Sequence, residues 1–120
     1  MIIIGVEWIS GTGDEAIVVV AGERTEVAVF SHPYYRKVGD TLNEPLHLLG
    51  ATSVKRSGAG LTSAKRHKEK LRYELRAVLK DKNAKILEVD GLLFELEDPI
   101  PPDIENGELV ELSCSRIDLW

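Results

Sequence analysis

The architecture of this chain depends most on residues 61–82, which read LTSAKRHKEKLRYELRAVLKDK. The stretch contains neither Gly nor Pro, and its apolar residues recur at spacings of three, four and seven, at Ala64, Leu71, Leu75, Val78 and Leu79. Such spacing places these side chains on one face of a helix. Thr62 or Ser63 can cap its amino end, and Asn83 can end it in a left-handed conformation. The pattern predicts one amphipathic helix.

The segments on both sides of this helix are rich in β-branched residues. Residues 2–10, 15–21 and 24–31 predict three consecutive strands, with a turn at 11–14 and a hairpin turn at Gly22-Glu23. After the helix, segments 85–89 and 92–97 flank Asp90-Gly91 and form either a two-residue hairpin or one long strand with a bulge. A final strand alternates over 108–117. Segment 32–60 stays unassigned, with short strands at 46–49 and 52–55 or extended loop as the two interpretations.

This order of elements resembles an OB-fold, a five-stranded Greek-key barrel whose helix closes one end. The features that carry the resemblance are the paired strands of 15–31, the helix of 61–82 and the strand entry at 106–110. The resemblance implies one domain over 1–120 that is mainly β, with five or six strands and the helix between strands 3 and 4. A split sandwich and an SH3-like barrel with an inserted helix are the alternatives.

Charge is distributed unevenly along the chain. The net charge is -5, but residues 1–54 carry -4, residues 55–85 carry +8 and residues 86–120 carry -9. A negative total disfavours indiscriminate binding to nucleic acid or to anionic lipid. The basic middle and the acidic flanks instead indicate a surface with two electrostatically complementary regions.

Other features limit the class of protein. One cysteine, Cys114, excludes an internal disulfide framework and fits a reducing cytosol, and its place in an alternating strand predicts a small core residue. The amino-terminal segment does not fit a signal peptide, and no run is apolar enough to span a membrane. We therefore expect a cytoplasmic protein without a membrane partner.

Neither a catalytic site nor a metal site is apparent. His32, His47 and His67 share no ligand spacing with one another or with Cys114, and no nucleophile–base pair is evident. We therefore expect a non-enzymatic protein with no cofactor and no metal. His32-Pro33-Tyr34-Tyr35 is interpreted as an aromatic loop that either contacts a partner or caps the end of a barrel.

The predicted helix carries the main candidate site. On a helical wheel one stripe carries four cations, with two further side chains beside it; the set is Lys65, Arg72, Arg76 and Lys80, with Arg66 and Tyr73. The cations can contact phosphates, and Tyr73 can stack on a base. The alternative is a solvated face on which Lys65 pairs with Glu69 and Lys70 with Glu74.

A second candidate site precedes the helix. Residues 57–60 lead into its amino end, and four cations flank them: Lys55, Arg56, Lys65 and Arg66. Backbone amides at a helix start together with flanking cations form a generic anion site. A flexible loop is the alternative interpretation.

The loops that would bind nucleic acid in an OB-fold are acidic here, at 11–15 and 98–108. These loops would repel a phosphate backbone. The sequence therefore favours a non-enzymatic binding module that uses complementary acidic loops and a basic helix, either for a protein partner or for a homo-oligomer. Nucleic-acid binding through helix 64–82 is the alternative.

Overall fold

The computed structural model describes residues 1–9, 14–68 and 70–120 of this protein. These residues form eleven strands in one sheet and contain no helix. The strands are β1 (Ile2–Trp8), β2 (Ala16–Ala21), β3 (Glu26–Ser31), β4 (Leu46–Leu49), β5 (Lys55–Arg56), β6 (Ser63–Arg66), β7 (Tyr73–Asp81), β8 (Ile86–Val89), β9 (Leu92–Glu95), β10 (Leu109–Cys114) and β11 (Arg116–Leu119).

The sheet runs in the order β1-β2-β3-β11-β4-β9-β8-β7-β10-β5, and β6 pairs with β7 beside this path. The β3–β11 and β4–β9 pairs are parallel, and the other pairs are antiparallel. The sheet curves so that β6 comes close to β3. There the hydroxyl of Tyr73, the first residue of β7, accepts a hydrogen bond of 2.8 Å from the backbone N–H of Ala28 on β3. The curved sheet encloses one apolar core, in which Phe94 is the largest fully buried side chain.

The predicted helix over 61–82 is wrong, and the OB-like barrel with a helix between strands 3 and 4 is wrong with it. The stretch forms β6, a turn and β7 instead. In β7 the odd-numbered side chains from Tyr73 to Leu79 are buried, and the even-numbered side chains are wholly or partly exposed. β7 is also a central strand, with β10 on one side and β6 and β8 on the other. Sheet pairing on both edges overrides the helical propensity of this charged stretch.

Several strand predictions are confirmed. The first three strands form consecutive antiparallel pairs, although Ser10 and most of the turn predicted at 11–14 lie outside the described residues. β8 and β9 form a hairpin in which Asp90 and Gly91 both have positive φ, at 50° and 85°, as a two-residue type I′ turn requires. The final predicted strand is two strands, β10 and β11.

Cys114 is a buried core residue, as the alternation of its strand predicted. Burial raises the pKa of its thiol to about 11. We expect a thiol-specific reagent at pH 8 to leave the native protein unmodified and to modify it fully in denaturant, because the thiolate is the reactive species. Rapid modification of the native protein would contradict the buried position.

Candidate functional site

The β6–β7 hairpin presents five cations at one end of the sheet. We define the basic tip by these residues, all of which are exposed: Lys65, Arg66, Lys68, Lys70 and Arg72. The turn is held by backbone hydrogen bonds from His67 N–H to Arg72 and from Lys70 N–H to His67, and Arg66 Nε donates to the Lys70 carbonyl at 2.6 Å. The ion pairs formed by the described residues include none of these five cations.

A groove of about 680 Å³ lies next to the basic tip. β7 and β10 form its floor, β6 forms one wall, and the segment at 52–55 forms the other. We define the charged groove by its lining residues, which are five charged side chains (Lys55, Lys65, Glu74, Arg76, Glu111), four hydroxyls (Thr52, Ser53, Ser63, Ser113), and Leu75 and Leu112. Lys65 belongs to both surfaces and makes them continuous.

Antiparallel register explains how residues from four strands reach one face. Arg76 lies opposite Glu111 on β10 and opposite Ser63 on β6, and Glu111 lies opposite Lys55 on β5. Side chains at facing positions of an antiparallel pair point to the same side of the sheet. The sequence therefore builds a row of alternating charge across the groove, of which Arg76 and Glu111 form an ion pair at 4.0 Å.

Three predicted site residues, Tyr73, Lys80 and Arg56, lie apart from these surfaces. Tyr73 is only 3% exposed and its hydroxyl is bonded to β3, so it is not available for stacking on a base. Lys80 lies farther along β7 and pairs with Glu88 at 3.3 Å. The predicted stripe is thus divided, because a strand directs Tyr73 inward and spreads the cations along its length.

Arg56 holds part of the acidic loop, residues 98–108. Its guanidinium contacts Asp103 at 2.9 Å and Glu108 at 2.7 Å and also donates to the Asp103 carbonyl oxygen. The hydrogen bond from Arg56 holds the pKa of the Glu108 carboxyl below its ordinary value. Lys82 adds a contact to Glu105 at 3.4 Å. Much of the acidic loop is therefore neutralised within the chain.

The candidate anion site lacks the helix amino end on which it depended, because the described residues contain no helix. Segment 57–60 instead lies beside the charged groove, where the Arg76 guanidinium lies against Gly60 and the Ser57 hydroxyl donates to Glu111 at 3.3 Å. The Lys70–Glu74 pair is not formed, and the proposed Lys65–Glu69 pair lies outside the described residues.

The aromatic loop at 32–35 is divided between two environments. Tyr34 is buried and packs edge-on against Trp8, with ring centroids 5.5 Å apart, and Tyr35 is exposed. Tyr34 therefore acts as a cap on the core, whereas Tyr35 lies at the surface beside Arg36.

Glu74 and Glu111 were missed from the sequence as members of a site. Their only signal was an outward position in alternating strands. For Glu74 that signal becomes visible only when residues 73–81 are assigned as a strand, whereas Glu111 already lies on the outward face of the predicted final strand. The four hydroxyls of the groove gave no signal of their own.

Within the described residues, no cluster of three or more His, Cys, Asp or Glu side chains is arranged to hold a metal ion. The same part of the chain contains no helix with the length and apolarity that crossing a membrane requires.

The charged groove and the basic tip are thus two adjacent surfaces on which charged side chains of the described residues converge. Comparison of this chain with protein-family models, with curated proteins and with solved structures found no match.

Proposed function

We propose that this protein is a non-enzymatic binding module that binds an acidic segment of a protein partner at the basic tip. The observation that carries the proposal is the set of five exposed cations on one hairpin turn, none of which takes part in the ion pairs of the described residues. Clustered like charges repel one another, and an acidic ligand relieves that repulsion.

A separate acidic partner is better supported than a second copy of this chain. Self-association through opposite charges would require an available acidic loop to meet the basic tip. Asp103, Glu105 and Glu108 of that loop are already engaged by Arg56 and Lys82. A second copy would have to break these contacts before it could form new ones.

A protein partner is also better supported than nucleic acid. The buried Tyr73 cannot stack on a base, and two carboxylates of the charged groove lie next to the basic tip. They would repel a phosphate backbone, which carries a charge at every nucleotide, whereas a protein segment can place an uncharged or a basic side chain beside them. One observation favours the alternative, since a basic two-stranded hairpin has the shape of elements that enter the major groove of duplexes. Nucleic acid is therefore an outcome of the test.

The proposal predicts the effect of removing two cations from the tip. The variant Lys70→Gln/Arg72→Gln is expected to bind a fluorescein-labelled Glu/Ser peptide about three- to tenfold more weakly, since each exposed ion pair contributes about 0.2–1 kcal/mol. Fluorescence anisotropy at about 50 mM and about 200 mM salt measures this, and affinity should fall at the higher concentration.

The matched control is Arg24→Gln/Lys37→Gln, which also removes one exposed Arg and one exposed Lys, but in loops outside the β6–β7 hairpin. It should retain the affinity of the natural sequence. Absence of peptide binding at about 50 mM salt contradicts the proposal. Tighter binding of single-stranded or duplex oligonucleotides, with the same loss in the tip variant, would favour nucleic acid instead.

A further inference from the structure

The charged groove contains two rows of outward side chains whose charges alternate. One row, across β5, β10 and β7, contains Lys55, Glu111 and Arg76, and the next row contains Glu74 on β7 and Lys65 on β6. The rows are two residues apart along the strands, which corresponds to roughly 7 Å. Each row therefore offers both signs of charge to anything that lies in the groove.

Most of these charges are not satisfied by their neighbours. Facing positions on antiparallel strands bring Cβ atoms to about 4.5–5.5 Å, close enough for opposite charges to pair. Lys65 and Glu74 occupy such positions, yet neither forms an ion pair within the described residues. Lys55 lies opposite Glu111 and is also without an ion pair there. Only Arg76 and Glu111 approach each other, at 4.0 Å.

We infer that the charged groove takes an extended segment of the acidic partner in which one Lys or Arg lies two positions from an Asp or Glu. This inference rests on the proposed function. In an extended chain, side chains on one face repeat every two residues, or roughly 7 Å, which matches the spacing of the rows. A ligand carboxylate then lies beside Arg76, on the side that faces Ser63 and away from Glu111, and the ligand cation lies over Glu74, two residues away on β7.

Charge complementarity selects this occupant over a uniform polyanion. A segment with acidic residues alone would place a carboxylate beside Glu74 and leave that exposed carboxylate unpaired. In the inferred segment, the Lys or Arg pairs with Glu74. The remaining acidic residues of the segment continue past Lys65 to the basic tip. The serine and threonine hydroxyls along the groove can accept hydrogen bonds from the backbone N–H groups of the segment and can donate hydrogen bonds to its carbonyl oxygens.

Three labelled peptides test the inference by fluorescence anisotropy. The first is the Glu/Ser peptide, the second carries one Lys two positions from a Glu, and the third carries the same Lys one position from that Glu. The natural protein should bind the second peptide about two- to fivefold more tightly than the third, which is the scale of one exposed ion pair. These two peptides have identical composition, so net charge cannot produce the difference.

The variant Glu74→Gln should abolish this preference, because it removes the carboxylate that the ligand cation meets. The matched control Glu7→Gln removes an exposed glutamate of β1 that takes part in none of the ion pairs of the described residues, and it should keep the preference. Lys70→Gln/Arg72→Gln should weaken all three peptides by a similar factor. Far-UV circular dichroism verifies that each variant is folded.

Each result has one meaning. Equal binding of the second and third peptides, or a preference that survives in Glu74→Gln, overturns the inference while the proposed function stands. If none of the three peptides binds the natural protein, the proposed function fails and the inference fails with it.

Discussion

Replacing Ala77 by Lys is expected to lower the free energy of unfolding by about 3–5 kcal/mol, whereas Val78→Lys should cost less than about 1 kcal/mol. Ala77 is fully buried on β7, opposite Val110, so a lysine there places an unpaired ammonium group in the core. Val78 points outward, opposite Glu88, where a lysine can reach water and an opposite charge. A loss of 3–5 kcal/mol is much of the total stability of a domain, which is about 5–15 kcal/mol.

Urea denaturation followed by far-UV circular dichroism measures both variants under the same conditions. The pair is informative because a helix over this stretch would reverse the order. In that arrangement Val78 belongs to the apolar face and Ala77 does not. A larger loss for Val78→Lys than for Ala77→Lys would therefore contradict the strand assignment, and equal losses would contradict the alternation on which it depends.

The error over residues 61–82 has a specific physical origin. Leu75 and Leu79 fit both a helix, in which they are one turn apart, and a strand, in which they lie on one face. Ala64, Leu71 and Val78 extended the helical pattern, although Val78 is the outward apolar residue of a strand. The turn between β6 and β7 contains no Gly or Pro to mark it. The partners that decide between the two structures, β8 and β10, come later in the chain.

The segments with confirmed strands lacked this ambiguity. β2 and β3 consist largely of β-branched and small residues and are joined by a short turn, so local preference and sheet pairing favour the same structure. The Asp90-Gly91 turn is equally local, because positive φ at both positions is common only for such residues. These features can be predicted from sequence because their causes lie within a few residues.

The candidate site was partly predictable for the same reason. The cations of the basic tip are consecutive enough that any local structure brings them together, so the cluster survived the wrong assignment of the helix. Glu74 and Glu111 line one groove only through the register between β7 and β10, which places Glu111 opposite Arg76 and Glu74 opposite Ser113. Lys55 reaches them only because β5 pairs with the far edge of β10. Sequence could identify the charge cluster but not the groove.

Tyr73→Ala is expected to lower the free energy of unfolding by about 3–5 kcal/mol, the usual cost of removing a large buried aromatic side chain. Tyr73 is 3% exposed, lies opposite Cys114, and accepts the N–H of Ala28 at a place where β3 and β6 approach each other without pairing. Its loss leaves both a cavity and a buried backbone donor without a partner. Urea denaturation of the variant measures the effect.

The control variant Tyr73→Phe keeps the ring and removes only the hydroxyl oxygen. Its free energy of unfolding should fall by about 1–3 kcal/mol, which is the cost of leaving the buried N–H of Ala28 without a partner. The variant should bind the acidic peptide as tightly as the natural protein does. A residue that stacked on a ligand would behave in the opposite way, because Phe would keep affinity and stability while Ala would lose affinity alone. Weaker peptide binding by Tyr73→Ala, measured under conditions where the variant is folded, would therefore indicate that Tyr73 contacts the ligand. The expected result, lost stability with unchanged affinity, places Tyr73 in the core and leaves binding to the cations that its strand directs outward.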